Sequence, residues 1–204
     1  MKLVGMLDSP YVRRTAISLR AQNIPFEHLP ISTFAGFDAF AAINPVVKAP
    51  TFVTDEGIVL MDSGLILEYG ERLAAPGLQL SPRDIETHAR ALRITGLALA
   101  ACEKTVQIVY EYNLRPPETW HQPWLDRVHC QLLSAYDLLE HEIQRADPWL
   151  FGQRPLLADI TSAVAFRFTR EKLPQVISAD GHSALAALSA RAEATEPFHA
   201  FPFV

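Results

Sequence analysis

The sequence predicts an α/β module over residues 1–75, a turn-rich connection over 76–82 and an all-helical module over 83–204. Three observations predict it. Through the first third of the chain, short β-rich runs alternate with helix-type periodicity. Ala75-Pro76-Gly77 and Pro82 then interrupt that pattern. Beyond Pro82 apolar residues recur only at helical spacings, and no strand pattern returns. The first module reads in the order βαβαββα.

Leu3, Val4, Met6 and Leu7 form a buried-strand run that stops at Asp8-Ser9-Pro10. Ser9 is a strong N-cap type and Pro10 suits the first helical position, so a helix should start there and bury Val12, Ala16, Ile17 and Leu19 until Asn23. Residues 26–31 read as a second strand. A weakly amphipathic piece carries Phe37, Phe40, Ala41 and Ile43, and Asn44-Pro45 ends it because the residue before proline avoids the helical region. Residues 51–54 and 58–61 are β-rich and joined by Asp55-Glu56-Gly57, a tight-turn composition, so they should pair as an antiparallel hairpin. Asp62-Ser63 opens a last helix through Leu65, Ile66, Leu67, Tyr69 and Leu73.

In the second module Ala91, Leu92, Thr95, Leu99 and Val106 mark one long helix. Leu125, Val128, Leu132, Leu139 and Ile143 mark another, with Pro116-Pro117 between them. A third should carry Ile160, Ala163, Val164 and Phe168, and a fourth Ala184, Leu185, Leu188 and Ala192.

Composition narrows the function. Hydrophobic residues make up 49% and charged residues 20%, enough apolar side chain to fill a core. Eighteen basic against 23 acidic residues give a net charge of -5, and no basic run exceeds Arg13-Arg14, which argues against a nucleic-acid groove. No apolar stretch approaches the roughly 18 to 20 residues that span a bilayer, and the first residues do not read as a signal peptide, so a soluble cytoplasmic protein is expected, with no membrane partner. Cys102 and Cys130 lie in helix-patterned segments and read as free, buried thiols. The 7 histidines are scattered, and His141-Glu142 is followed by Arg145 where a zinc-protease helix would need its second histidine, so no metal is expected. Gly-rich dinucleotide and phosphate loops are absent.

Three polar turns at strand ends remain as candidates, a position where open α/β sheets commonly bind ligands. The first is Ser9-Pro10-Tyr11-Val12-Arg13, where Ser9 by itself could be no more than a helix cap. The second is Val47-Lys48-Ala49-Pro50; proline at the start of a strand implies an edge or a special turn, including a cis bond. The third is Asp62-Ser63, whose helix offers free N–H groups that can hold a carboxylate.

In order and spacing these turns resemble those of the soluble glutathione transferases, with Ser9-Pro10-Tyr11-Val12-Arg13-Arg14 at the first turn, Asn44 to Pro50 before the hairpin and Asp62-Ser63-Gly64-Leu65-Ile66 after it. Ala158-Asp159 matches the family's Ala-Asp at the start of a buried helix in the second module. The Ser-Pro opening is similar to the serine-type bacterial branch. Departures are Asp62 where the family usually has glutamate, Ala49 in place of valine, Leu65 in place of alanine, and Leu156 in place of a Ser or Thr cap. Another group, Asp159 in part, should compensate for that missing cap.

The resemblance implies a thioredoxin-like first domain that binds glutathione as co-substrate, an all-helical second domain, a small electrophilic second substrate and a homodimer. By carry-over, Ser9 donates a hydrogen bond to the glutathione sulfur, with Tyr11 as the rival donor. Ala49 pairs its backbone with the cysteinyl part, and a cis Pro50 aims that backbone outward. Ser63 and its helix hold the γ-glutamyl carboxylate, and Asp62 meets the ammonium. Lys48 either meets the glycyl carboxylate or is a solvated loop lysine. Arg13, a cation near a helix N-terminus, hints at a nearby anion. Val106, Ile108, Val109, Tyr110 and Tyr112 either wall the electrophile site or are core, and Phe198, Phe201 and Phe203 either cap that site or cover the helical bundle. Three functional readings stay open: transfer to electrophiles, a non-catalytic binding module, and glutathione-dependent isomerisation, peroxide reduction or dehalogenation. Ser9 and Val12 leave no Cys-x-x-Cys, which disfavours a disulfide reductase.

Overall fold

The computed structural model describes residues 1–204 and divides them into two compact units, Met1–Ser81 with Ala194–Val204, and Pro82–Glu193. In the first unit the order is β1 (Lys2–Val4), α1 (Pro10–Ala21), β2 (Glu27–Leu29), α2 (Phe37–Ala41), β3 (Thr51–Val53), β4 (Val59–Met61) and α3 (Ser63–Leu73). The sheet runs β2-β1-β3-β4, with β1 parallel to β2 and antiparallel to β3, and β4 antiparallel to β3. This is the thioredoxin-like arrangement. Leu3, Val4 and Phe52 from the strands pack with Val12, Ile17 and Leu19 of α1 and Ile66 of α3, all fully buried. Burying such side chains is worth about 1.5 to 3 kcal/mol each, which holds these short strands against two helices.

Register decides what lies at the strand ends. Val4 pairs with Thr51, and Thr51 pairs with Met61, so the end of β1, the start of β3 and the end of β4 stand in one row. The chain leaves or enters all three strands at the same end of the sheet. At the opposite end the β3–β4 hairpin closes through Asp55-Glu56-Gly57, with Gly57 at φ 82 and its N–H donating to the Thr54 carbonyl.

The segment Ala194–Val204 groups with this first unit, although the sequence places it in the helical module. Its short helix α8 (Glu196–Ala200) lies on α1. Phe198 is buried under the Arg13 guanidinium, whose carbon is 5.4 Å from the ring centroid. Phe201 stacks on Phe26 at 5.5 Å, and Glu196 accepts from Nε of Arg20 at 3.0 Å. Thus Phe198 and Phe201 are structural residues of the first unit.

The second unit contains α4 (Ile85–Leu114), α5 (Gln122–Ile143), α6 (Leu157–Lys172) and α7 (Ser183–Glu193), with a single 3₁₀ turn at Pro117–Thr119. α4 packs against α5 and α6, and α6 against α7. Apart from Arg167, every residue of α6 from Ala158 to Thr169 is buried. Leu156 occupies its N-cap and has no side-chain acceptor. Asp159, fully buried, accepts from the N–H of Leu156 at 2.9 Å and from that of Leu150 at 2.9 Å. It thereby satisfies the helix start and the preceding loop. Burial pushes the Asp159 carboxyl above the usual aspartate range, against the lowering by those two N–H groups. Cys102 is buried, whereas Cys130 is exposed: periodicity places it on α5, and the face it occupies is left uncovered. Ile108 is core and Tyr110 is 45% exposed, so the stretch expected to act as one wall is divided between the two environments.

Candidate functional site

The candidate site is built at the sheet end where Val4, Thr51 and Met61 align. The first turn begins at Gly5, which has φ 138 and is buried. A Cβ there would sit 2.6 Å from Cγ2 of Val12 and 3.2 Å from Cβ of Ala49. Only a residue without a side chain lets the first turn, the start of α1 and the second turn close on one another. Ser9 then enters α1 as its N-cap with extended backbone, φ -75 and ψ 122. Its Oγ accepts from the Val12 N–H at 3.4 Å, a long contact that leaves the cap weak. Ser9 and Tyr11 are both half-buried.

Asn44 shapes the second turn. Its Nδ2 donates to Thr51 Oγ1 at 2.8 Å, its Oδ1 accepts from the Val46 N–H at 3.1 Å, and the side chain is buried. Thr51 Oγ1 donates in turn to the Lys48 carbonyl at 2.7 Å. The Ala49-Pro50 bond is cis, Pro50 is buried and Ala49 half-buried. β3 begins only at Thr51, so the backbone of Ala49 belongs to no strand ladder.

The third turn is Asp62-Ser63. Asp62 has φ 73 and ψ 123, a conformation that costs a non-glycine residue about 1 to 3 kcal/mol and concentrates at functional sites. Its Oδ1 caps α3 by accepting from the Gly64 N–H at 2.9 Å, and its Oδ2 lies 3.6 Å from Nζ of Lys48. Both side chains are about half exposed, so this pair contributes little to stability. Ser63 is 4% exposed, and its Oγ accepts from Nη1 of Arg14 at 2.7 Å.

The structure therefore ties the three turns pairwise: Gly5 and Ala49 join the first to the second, Arg14 and Ser63 the first to the third, and Lys48 and Asp62 the second to the third. Arg13 is the exception among the sequence candidates. It is fully buried, donates from Nε to the Phe201 carbonyl at 3.0 Å and lies over Phe198, so its guanidinium serves the C-terminal segment. Adjacent helical residues point about 100° apart, and the neighbouring Arg14 is the one that turns toward α3. Sequence reasoning missed Arg14, Gly5 and Asn44. Arg14 and Asn44 stand in the motifs that carry the resemblance, but an Arg13-Arg14 pair does not say which guanidinium faces which way.

No group of three or more His, Cys, Asp or Glu is arranged to hold a metal ion. No helix is long and apolar enough to cross a membrane.

Comparison with known proteins agrees with this fold. Residues 3–77 match the model of the glutathione S-transferase N-terminal domain. The uncharacterised GST-like protein YibF of Escherichia coli K12 is 33% identical over 140 residues, 69% of this chain and 68% of that protein. Maleylacetoacetate isomerase of Pseudomonas aeruginosa is 27% identical over 173 residues, 78% of this chain and 77% of that enzyme. Among solved structures, a glutathione S-transferase of Methylobacterium radiotolerans in complex with glutathione sulfonate superposes with a TM-score of 0.91 at 25% identity, over 100% of this chain and 95% of that one. With its thioredoxin-like sheet, its three converging turns and relatives that align over most of its length, the chain belongs to the glutathione S-transferase family.

Proposed function

We propose that the chain binds glutathione at this end of the sheet and presents its sulfur as a thiolate to small electrophilic, largely apolar molecules, acting as a glutathione transferase. The observation that carries the reading is the pairwise closure of the three turns around one sheet end. The Methylobacterium relative crystallised with glutathione sulfonate supports the choice of ligand.

A free cysteine-type thiol has a pKa of about 8.5, and a helix N-terminus with a hydrogen-bond donor lowers it toward neutrality. Ser9 stands at the N-terminus of α1 with its hydroxyl only weakly held by the cap. Too weak an acid or base to remove a proton at pH 7, it acts by donating a hydrogen bond to the sulfur anion. Tyr11, half-buried in the next position but one, is the rival donor. The buried guanidinium groups of Arg13 and Arg14 in the first turns of α1 add positive potential there.

The unladdered backbone of Ala49, presented by the cis Pro50, pairs with the cysteinyl residue as an added strand would. Ser63 and the first N–H groups of α3 take the γ-glutamyl carboxylate, while Asp62 takes the ammonium of the same residue. Lys48 exchanges its contact with Asp62 for the glycyl carboxylate. Pairing into a homodimer belongs to the same reading, and Leu65 and Leu73 on the outer face of α3, 60% and 45% exposed, are available to such a contact.

Likeness to maleylacetoacetate isomerase favours one second reading, in which the thiolate adds to an unsaturated acid and leaves again after rotation, so that glutathione is regenerated. Retention on immobilised glutathione, followed by assays of chloronitroaromatic conjugation and of cis-trans isomerisation of an unsaturated diacid, tests both. Conjugation supports the transferase, isomerisation without conjugation the second reading. Retention with neither leaves a binding module, and failure of retention removes the proposal.

A further inference from the structure

Arg14 lies in the second turn of α1 and is 1% exposed, yet it carries a guanidinium that stays charged at every working pH. Burying such a charge is costly unless it is paired and hydrogen-bonded, and one of its bonds reaches the start of α3. Its Nη1 lies 2.7 Å from Oγ of Ser63, across 49 positions of sequence. A guanidinium has no acceptor, so the direction of that bond is decided: Arg14 donates and Ser63 accepts. The single hydroxyl hydrogen of Ser63 must then point elsewhere, and Ser63 donates to no group of the chain.

The surroundings indicate where it points. At the start of α3 the Gly64 N–H is taken by Asp62 Oδ1 and the Ile66 N–H by the Asp62 carbonyl. The N–H groups of Ser63 and Leu65 have no partner within the helix, as expected for a first turn. A 96% buried hydroxyl with an uncommitted hydrogen therefore stands among free backbone donors, with a buried positive charge directly behind it.

We infer that Arg14 is a positioning residue for carboxylate recognition: by occupying a lone pair of Ser63 Oγ, it turns the Ser63 hydrogen toward a bound carboxylate at the start of α3 and supplies the charge that the carboxylate meets through Ser63. The inference rests on the glutathione reading above and adds to it the group that makes a neutral serine selective for an anion. Without Arg14 the Ser63 hydroxyl is free to rotate and to donate inward.

The test compares two peptides by calorimetry: glutathione, and 4-aminobutyryl-cysteinyl-glycine, which lacks only the γ-glutamyl carboxylate. Arg14→Met should weaken glutathione binding about tenfold or more, the scale of a charge-assisted hydrogen bond, and leave affinity for the analogue unchanged. Arg14→Lys, which keeps the charge and loses the planar fork, should fall between wild type and Arg14→Met for glutathione only, and it carries the same comparison should Arg14→Met fail to fold. In a Ser63→Ala background the penalty of either Arg14 variant should largely disappear. Equal loss for both peptides, or loss for neither, overturns the inference and leaves the glutathione reading standing. Wild type that binds both peptides equally well overturns it too. Wild type that binds neither removes the glutathione reading, and the inference with it.

Discussion

Gly5 and Val12 are packed so closely that a single added methyl group on Gly5 would fall 2.6 Å from Cγ2 of Val12. The contact brings the turn after β1 against the first turn of α1, which carries Ser9. The same Gly5 carbonyl accepts from Nε2 of His28 at 2.8 Å, so this turn is also held from the β2 side.

Gly5→Ala should therefore be strongly destabilising, for two reasons that add. At φ 138 an L side chain is strained by about 1 to 3 kcal/mol, and overpacking against Val12 and Ala49 adds about 1 to 3 more. Urea denaturation measures the sum. A loss well under 1 kcal/mol would mean that the turn is not held as described.

Ser9→Ala separates the cap from the chemistry. Because the cap contact is long, stability should fall by no more than about 1 kcal/mol. Turnover should drop about tenfold or more while glutathione affinity stays within a few-fold, since in the proposed reading the hydroxyl acts on the anion. Unchanged turnover would move the role to Tyr11 or to the helix terminus alone.

Asp62→Asn probes the ammonium contact at a nearly constant fold. Asparagine tolerates positive φ and keeps an oxygen to cap the Gly64 N–H, so the melting temperature should change little. The charge proposed to meet the γ-glutamyl ammonium is lost, and glutathione affinity should fall several-fold. Equal affinity in the two proteins would remove Asp62 from the ligand site.

A pH-dependent effect is expected in the helical unit at Glu142. Burial raises its carboxyl, but bonds from Arg90 and Arg93 outweigh that and hold it below the usual glutamate range. A depressed folded pKa means stabilisation that is present above the unfolded value of about 4.3 and lost as pH falls through the folded one. Glu142→Gln should accordingly lower the melting temperature by about 2 to 4 °C at pH 7, for about 1 kcal/mol, and by nothing once the wild-type carboxyl is protonated. A difference that persists undiminished at the acid end would assign the effect to packing.

Much of the fold was legible in the sequence, and so were the three polar turns of the candidate site, for reasons that particular residues display. Ser9-Pro10 starts α1 because a hydroxyl cap and a residue without an N–H suit a helix N-terminus whatever surrounds it. Asp55-Glu56-Gly57 makes the hairpin because a glycine supplies the positive φ. The strands are shorter than the apolar runs suggested, with β1 ending at Val4 although Met6 and Leu7 continue the pattern. Gly5 at positive φ turns the chain there, and hydrophobicity alone does not signal a change of direction.

By itself, then, the sequence determined the order of elements from β1 to α7, the starts of α1 and α3 and the three polar turns at strand ends, since these depend on local dihedral preference and on periods of 2 and 3.6 residues. Tertiary structure decided which of two adjacent arginines serves the C-terminal segment and which serves Ser63, that residues 194–204 return to the first unit, and that Cys130 is exposed while Cys102 is buried. Periodicity assigns side chains to faces of one helix, but which neighbour covers a face follows from contacts between residues far apart in the chain, and local pattern carries no record of them.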